Sequence, residues 1–381
     1  MKILVVSGNP HMPQFSGGVE STTHELALEM GRRGHPVSVL CRLVDGGGWK
    51  TLFLRAMRKL SRQQFPADRV LGYPVYRQWL VLPRIQDAVR EIAPDVAIVQ
   101  IGYRESVLLA RELTACGVPV LFYLHNVEIE ELGGDPRTLS GVQFIANSEF
   151  TSRRYKELFG IDSIVLPPTM RGEEYVSQRM PANVTFINPH PLKGRDIALD
   201  IAERCPEIPF TFIESWSLGP DHLAELRSRL AVLPNVTFQR RTKDMKGIYS
   251  KAKILLAPSV WEEAWGRVAT EAQFSGIPVV ASDIGGLPEA VGPGGVLLDP
   301  KGPIEPWVDA VKHLWGDDAF YRQKSEAALA YSKRPEISPG GQIETILAAA
   351  TALMSKPAND ENRRITTTKP GDVSQLASKR M

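Results

Sequence analysis

Cysteine is scarce in this chain. Its 381 residues include three, Cys41, Cys116 and Cys205, widely separated and odd in number. No Cys-x-x-Cys pair occurs, so neither a disulfide framework nor a zinc knuckle is expected, and a reducing, cytoplasmic setting is the simpler expectation. Long apolar runs are missing as well. The first, Ile3-Leu4-Val5-Val6, stops at Ser7-Gly8-Asn9-Pro10 and is too short for a signal-peptide core. Nothing approaches the roughly 20 apolar residues of a spanning helix, so any membrane contact is expected to be peripheral. An excess of one charge is also absent: 45 Lys and Arg face 43 Asp and Glu, a net +2. That balance excludes a dedicated nucleic-acid binder, though not a local basic patch. There is no short-period repeat and no Gly-x-Gly-x-x-Gly dinucleotide fingerprint.

What the chain does have is alternation. Short apolar runs at Lys2–Ser7, Pro36–Arg42, Tyr73–Arg77, Val96–Gln100, Pro119–His125, Gln143–Asn147 and Ser163–Leu166 alternate with helix-length segments. These runs are apolar throughout, as parallel strands covered on both faces require. The pattern pauses at Leu166-Pro167-Pro168-Thr169-Met170 and the polar stretch after it. It restarts with Val184–Asn188, Phe210–Glu214, Val236–Gln239, Ile254–Pro258 and Pro278–Ser282. Two βα series predict an α/β protein of two doubly wound, Rossmann-like domains, 1–170 and 171–335, with ligands beyond the carboxyl ends of the strands, in a cleft between the domains. A closing helix over 336–355, packing back toward the first domain, and a disordered polar tail over 356–381 are expected to follow. The +2 conceals local imbalance: the tail carries +3, the segment 49–65 carries +5, and the remainder sums to −6.

The most informative segment is Pro258–Glu289, PSVWEEAWGRVATEAQFSGIPVVASDIGGLPE. A strand ends at Pro258-Ser259, a loop follows, and a helix begins near Gly266. Glu263 falls in the loop at the helix mouth and Glu271 lies about one and a half turns into the helix. The amides of Gly266, Arg267 and Val268 are the free donors of that helix start, and a glycine permits close approach, which makes an anion site. A carboxylate beside it can accept from vicinal hydroxyls. Together these groups suit a phosphate flanked by sugar hydroxyls. The plain alternative is an amphipathic helix with two surface glutamates.

Here the chain resembles the retaining glycosyltransferases of family 4, which have the two-domain GT-B fold. Their Glu-x7-Glu signature is matched from Glu263 to Glu271, and Ser275-Gly276-Ile277-Pro278-Val279-Val280-Ala281-Ser282 and Gly285-Gly286-Leu287-Pro288-Glu289 match too. The resemblance implies that Glu263 binds donor-sugar hydroxyls, that the amides around Trp265, Gly266, Arg267 and Val268 face the donor, and that Glu271 binds the ribose. Matches run over roughly 1–335. Gly17 and Gly18, in Ser16-Gly17-Gly18-Val19-Glu20, take the place of the loop beside the donor diphosphate; on their own they read equally as a loop-to-helix turn. His125 takes the place of the active-site histidine near the sugar, although a lone histidine is more often structural. Lys193 in Asn188-Pro189-His190-Pro191-Leu192-Lys193-Gly194 would neutralise the diphosphate. The family's usual arginine five positions earlier is Asn188 here, so half of a cationic clamp is missing; Arg267, Arg195 or His190 is expected to supply the charge. Arg240, Arg241 and Lys243, in the loop expected to reach the base, read equally as solvated charges.

The implied activity is a hexosyl transfer with retention, from a UDP- or GDP-linked sugar to a hydroxyl on a glycan, lipid-linked or small-molecule acceptor. The nucleotide-sugar is a substrate, so no cofactor is expected. No Asp-x-Asp motif sits in the matching segments, and metal independence is expected. Other readings of the same fold are a nucleotide-sugar epimerase, a sugar phosphorylase, or a non-catalytic sugar-nucleotide binder. Residues 49–65, WKTLFLRAMRKLSRQQF, hold Lys50, Arg55, Arg58, Lys59 and Arg62 and no acid, with Trp49, Leu52, Phe53, Ala56 and Leu60 at helical spacing. Such a helix can lie on an anionic membrane surface, at the inner face of the membrane, and would suit a lipid-linked acceptor. The plainer reading packs its apolar stripe on the sheet and solvates its arginines.

Overall fold

The computed structural model describes residues 1–45, 48–61, 63 and 65–355, without the side chain of Lys50. The polar tail expected over 356–381 and the side chains of Lys50 and Arg62 lie outside the described residues. The chain forms two compact units. Of the described residues, one unit comprises Met1–Asn147, Ser152–Leu166 and Gln342–Ser355; the other comprises Ser148–Thr151 and Pro167–Gly341.

The first unit carries β1 (Ile3–Pro10), α1 (Gly18–Arg32), β2 (Val37–Arg42), α2 (Gly48–Leu60), β3 (Ala67–Asp68), β4 (Val75–Gln78), α3 (Ile85–Ile92), β5 (Val96–Gln100), α4 (Ser106–Ala115), β6 (Val120–Leu124), β7 (Val142–Ala146), most of α5 (Glu149–Phe159) and β8 (Ser163–Val165). Its sheet runs β3-β4-β2-β1-β5-β6-β7-β8. Every pairing is parallel except that of β3 with β4. In β1 the residue Ile3 registers with Val37 on one side and Val96 on the other. β5 and β6 are buried at every position, the result of helices covering both faces. One face packs Leu4, Val6, Val99 and Phe122 against Leu109 and Leu113 of α4. The other packs Ile3, Val5, Ile98 and Leu121 against Leu26 of α1 and Ile343, Ile346 and Ala350 of the last helix, Pro339–Met354.

The second unit carries β9 (Asn183–Ile187), α6 (Arg195–Arg204), β10 (Phe210–Ile213), α7 (Pro220–Leu230), β11 (Val236–Gln239), α8 (Met245–Lys251), β12 (Ala252–Ala257), α9 (Arg267–Gln273), β13 (Val279–Ser282), α10 (Leu287–Val291), β14 (Gly295–Leu298), α11 (Glu305–Gly316) and α12 (Asp318–Tyr331). Its six strands are all parallel, in the order β11-β10-β9-β12-β13-β14. Both units are therefore the doubly wound α/β architecture expected from the alternation. Among the elements that periodicity did not reveal, β3, β14, α8 and α10 offer too few residues for a repeat to show, and the 14-residue α12 follows α11 after a single residue, Asp317.

One expectation is reversed. The apolar stripe of α2 does not pack on the sheet: Trp49, Leu52, Phe53, Met57 and Leu60 are exposed, while the opposite side buries Thr51 and Leu54. Arg58 turns inward, donating to Arg77 O (3.1 Å) and Gln78 Oε1 (2.7 Å). The polar side of this helix is the one that anchors it.

Candidate functional site

In the second unit the chain winds outward from β9 to β11 and then returns to β12 beside β9. Loops after these two strands diverge, which opens a crevice at their carboxyl ends. Lys193 follows β9, in a tight turn Pro191–Lys193 begun by His190, whose Nδ1 accepts the Leu192 N–H at 3.2 Å. Glu263 follows β12. The two loops are stitched together: Leu192 O accepts the N–H groups of Val260 (3.1 Å) and Trp261 (3.2 Å) and the Ser259 hydroxyl (3.2 Å). Gly194 turns the chain at φ +80°, and a Cβ there would sit 1.7 Å from Pro258 O. On the far side, Gly286 N donates to Glu263 O at 2.6 Å. Side chains at Gly285 and Gly286 would press within 2.4 and 2.3 Å of the carbonyl oxygens of Glu263 and Ala264. The glycine pair thus has a steric reason: it lets a second backbone brace the Glu263 loop.

This bracing brings Lys193 Nζ to 2.6 Å from Glu263 Oε1, with side chains only 15% and 19% exposed. The ammonium also lies 4.7 Å from the centroid of the Trp216 ring. A cation and a carboxylate held side by side at a strand-order reversal can serve a ligand that is anionic in one part and hydroxyl-rich in the next.

The helix start behaves differently from the simplest expectation. Gly266 caps α9 at φ +96°, and a Cβ there would meet Leu287 Cδ2 at 2.5 Å. The Trp265 indole is a core group that donates to Thr270 Oγ1 at 3.1 Å, so only the amide of this residue is left for a ligand. Val268 packs partly buried against the same core. Glu271 is buried, accepts the Tyr249 hydroxyl at 2.8 Å and lies 3.5 Å from Arg267 Nε. Burial, reinforced by the Glu271 carboxylate, pushes the Tyr249 phenol well above its usual range. Arg267 also donates to Thr169 O and to Tyr175 Oη, each at 3.2 Å. The structure therefore pairs Lys193 with Glu263, and Arg267 with Glu271.

The position expected to hold an arginine is a backbone feature. Asn188 adopts φ +71° and its Oδ1 accepts the Trp216 N–H at 3.3 Å. Arg195 is committed elsewhere: its two terminal nitrogens lie 2.9 and 2.7 Å from the two carboxylate oxygens of Glu225. His190 stays beside Lys193, and desolvation with the charges of His222, Lys193 and Arg195 holds its pKa below the usual value. Arg240 is bound to the buried Glu214 at 3.0 Å. Trp216 was not anticipated, although its place just past the carboxyl end of β10 is a usable signal for such sheets. Tyr249 carried no signal, because its role depends on Glu271 22 residues away.

In the first unit the order reverses between β1 and β5. Gly17 caps α1 with extended backbone, and Gly18 is its first residue. A Cβ at Gly17 would lie 2.9 Å from Glu20 Oε2, so glycine here makes room for a buried carboxyl. Burial raises the Glu20 pKa to about 7, although the carboxyl accepts backbone N–H groups of Glu20 and Gly17. His125, just past β6, is buried and donates Nε2–H to Gln100 Oε1. Gln100 in turn donates to Thr23 Oγ1 at 3.1 Å. Tyr123 lies against the imidazole, ring centroids 3.9 Å apart. Among the described residues, no three His, Cys, Asp or Glu side chains are grouped so as to hold a metal ion.

Comparison with known proteins bears on the family and the fold. Residues 190–317 match the family model described as glycosyl transferases group 1, and residues 16–170 match that of glycosyltransferase family 4. D-inositol 3-phosphate glycosyltransferase of Mycolicibacterium smegmatis is 32% identical over 210 residues, 51% of this chain and 46% of that protein. Its counterpart from Corynebacterium diphtheriae is 40% identical over 116 residues, 29% and 27% of the two chains. The matched stretch thus spans less than half the length of these curated relatives. Among solved structures, Anabaena HepE in complex with UDP and glucose superposes with a TM-score of 0.73 at 19% identity, covering 92% of this chain and 100% of that one. Sucrose-phosphate synthase from Thermosynechococcus elongatus superposes at 0.71 and 15% identity, covering 93% and 99%. Two family models that between them take in most of the chain, and two parallel sheets wound as in these structures, give one conclusion: the chain belongs to glycosyltransferase family 4 and has the GT-B fold.

Proposed function

We propose that this chain transfers a sugar from a UDP- or GDP-linked donor to a hydroxyl acceptor, with retention of configuration and without a metal ion. The observation that carries the proposal is the Lys193–Glu263 pair, 2.6 Å apart at the β9/β12 reversal. Lys193 stabilises the charge that grows on the leaving diphosphate, together with the amides of Gly266, Arg267 and Val268 at the α9 start. Glu263 accepts hydrogen bonds from the sugar hydroxyls, and Glu271, oriented by Tyr249, takes the ribose. Gly17 and Gly18 let the α1 start approach the diphosphate. His125, its ring held by Gln100 and Tyr123, hydrogen-bonds the sugar.

In the transfer step the bond from the anomeric carbon to phosphate oxygen breaks with its electron pair staying on the phosphate. The acceptor oxygen attacks the same face, and its proton passes to the departing phosphate oxygen. No enzyme nucleophile is used, and the nucleotide-sugar is substrate, with no further cofactor assigned. The relatives' names, with inositol phosphate as acceptor, and the UDP and glucose held by HepE support a nucleotide-linked donor and a polyol acceptor. Glycan, lipid-linked and small-molecule hydroxyls are the acceptor classes. The three cysteines are free thiols, which suits a cytoplasmic setting.

A thermal-shift screen with UDP-, GDP-, ADP- and dTDP-sugars, followed by turnover with the donor that stabilises, tests the reading, since a bound ligand raises apparent stability. One UDP- or GDP-sugar should stabilise and be consumed with an acceptor. Stabilisation without transfer would support the non-catalytic binder instead, epimerised donor the epimerase, and phosphate-dependent cleavage without nucleotide the phosphorylase.

A further inference from the structure

α2 is a feature of the first unit that the transfer chemistry leaves unused. Its outer side exposes Trp49 (73%), Leu52, Phe53, Met57 and Leu60 (82%), and the β4–α3 loop beside it adds exposed Trp79 and Leu80. Five large apolar side chains on one side of the helix, with Trp79 across the groove from them, exceed the scattered singles of an ordinary surface. Between helix and loop runs a groove of about 470 Å³, lined by Leu52, Arg55, Ala56, Lys59 and Trp79. Arg55 reaches over the Trp79 ring, 5.3 Å to its centroid, and lies 3.0 Å from exposed Asp45. Lys59 is exposed on the groove's rim. Arg58, by contrast, ties the inner side of the helix to the end of β4, so the helix is a docked platform.

We propose that this face seats the protein on an anionic phospholipid bilayer, with α2 lying in the interface plane, its apolar stripe among the acyl chains and phosphate headgroups against Arg55 and Lys59. Charge decides the occupant. The described cations on this face are Arg55 and Lys59, residues 49–65 hold no acid, and Asp45 already engages Arg55, so a second copy docked face to face would leave Lys59 opposite a cation. A bilayer supplies both the apolar depth and the opposite charge. Tryptophans at the helix start and beside the groove suit the headgroup level. No described helix is long and apolar enough to cross a membrane, so the contact is one of surface seating.

The test is co-sedimentation of the full chain with vesicles of phosphatidylcholine alone or mixed with phosphatidylglycerol. Binding is expected to the mixed vesicles and to fall with salt. Lys59→Glu should weaken it by at least about fivefold, and Leu52→Glu combined with Leu60→Glu by at least about tenfold. All three positions are exposed, so the fold and the thermal shift given by a nucleotide-sugar should be unchanged, which separates this proposal from the assignment of the donor site. Equal binding to both vesicle types would overturn the electrostatic pairing. No binding to either, or concentration-dependent self-association abolished by the leucine substitutions, would overturn the membrane assignment.

Discussion

Replacing Gly194 by alanine tests whether the Lys193–Glu263 pair is set by the way two loops are nested. The residue sits at φ +80°, and the added Cβ would lie 1.7 Å from Pro258 O and 2.5 Å from the Pro258 carbonyl carbon. Backbone cannot swing aside as a flexible side chain can, so the β9–α6 loop must retreat by at least about 1.3 Å to reach a tolerable contact. The left-handed conformation alone costs about 1–2 kcal/mol for a residue with a Cβ. With the steric shift added, we expect a loss of about 2–4 kcal/mol, or a fall of about 5–15 °C in the melting of this unit. The functional loss should be larger in proportion. Lys193 is the adjacent residue, and displacement by about 1 Å of a group that must meet a developing charge costs on the order of 10²-fold in rate. Circular dichroism melting and sugar-transfer turnover on one preparation give both numbers. Gly31→Ala is the control: it lies within α1 with no neighbour within 4 Å of the added Cβ, and alanine there should stabilise by about 0.5–1 kcal/mol. Wild-type turnover in Gly194→Ala would refute the reasoning, because Lys193 would then be placed by something other than the nested loops.

Lys193→Ala and Glu263→Ala should each cut turnover by on the order of 10²-fold or more with the protein still soluble; aggregation would show the pair to be structural. Glu20→Gln should stabilise the first unit at pH 8 and change little at pH 4, as read from urea unfolding. Because burial raises the folded-state pKa of Glu20 to about 7, its favourable contribution is complete below the unfolded value of about 4.3 and is lost as pH rises through 7; the gap corresponds to about 4 kcal/mol at most. His11 works in the opposite sense: burial, then Arg77 and His24, depress its pKa to about 3. Its contribution is present above the unfolded value of about 6.5 and drains as pH falls toward 3, so His11→Gln should flatten acid-induced unfolding in that window. Arg77→Met should destabilise by about 3–5 kcal/mol, since it strands the buried Asp68 carboxylate that now lies 2.7 Å from the guanidinium; a loss under about 1 kcal/mol would show that water reaches Asp68.

By itself the sequence determined that there are two doubly wound parallel sheets, because strands buried on both faces must be apolar at every position, as Val96–Gln100 and Val120–Leu124 nearly are. It also singled out the segment 258–289, whose glycines and glutamates are local chemistry, readable from spacing. What only the tertiary structure decided is which of these groups meet. Lys193 and Glu263 are 70 residues apart, and their contact exists because β12 returns beside β9 and because Gly194, Gly285 and Gly286 leave room for backbone to touch backbone. The engagement of Arg195 by Glu225 and of Glu271 by Tyr249 is likewise a matter of packing between helices and strands that periodicity does not encode. The orientation of α2 was undecidable from its pattern, since an amphipathic helix looks the same whichever side faces the sheet. Arg58 settles it: a guanidinium that can satisfy buried carbonyl groups at the end of β4 anchors the polar side, and leaves the apolar one facing out.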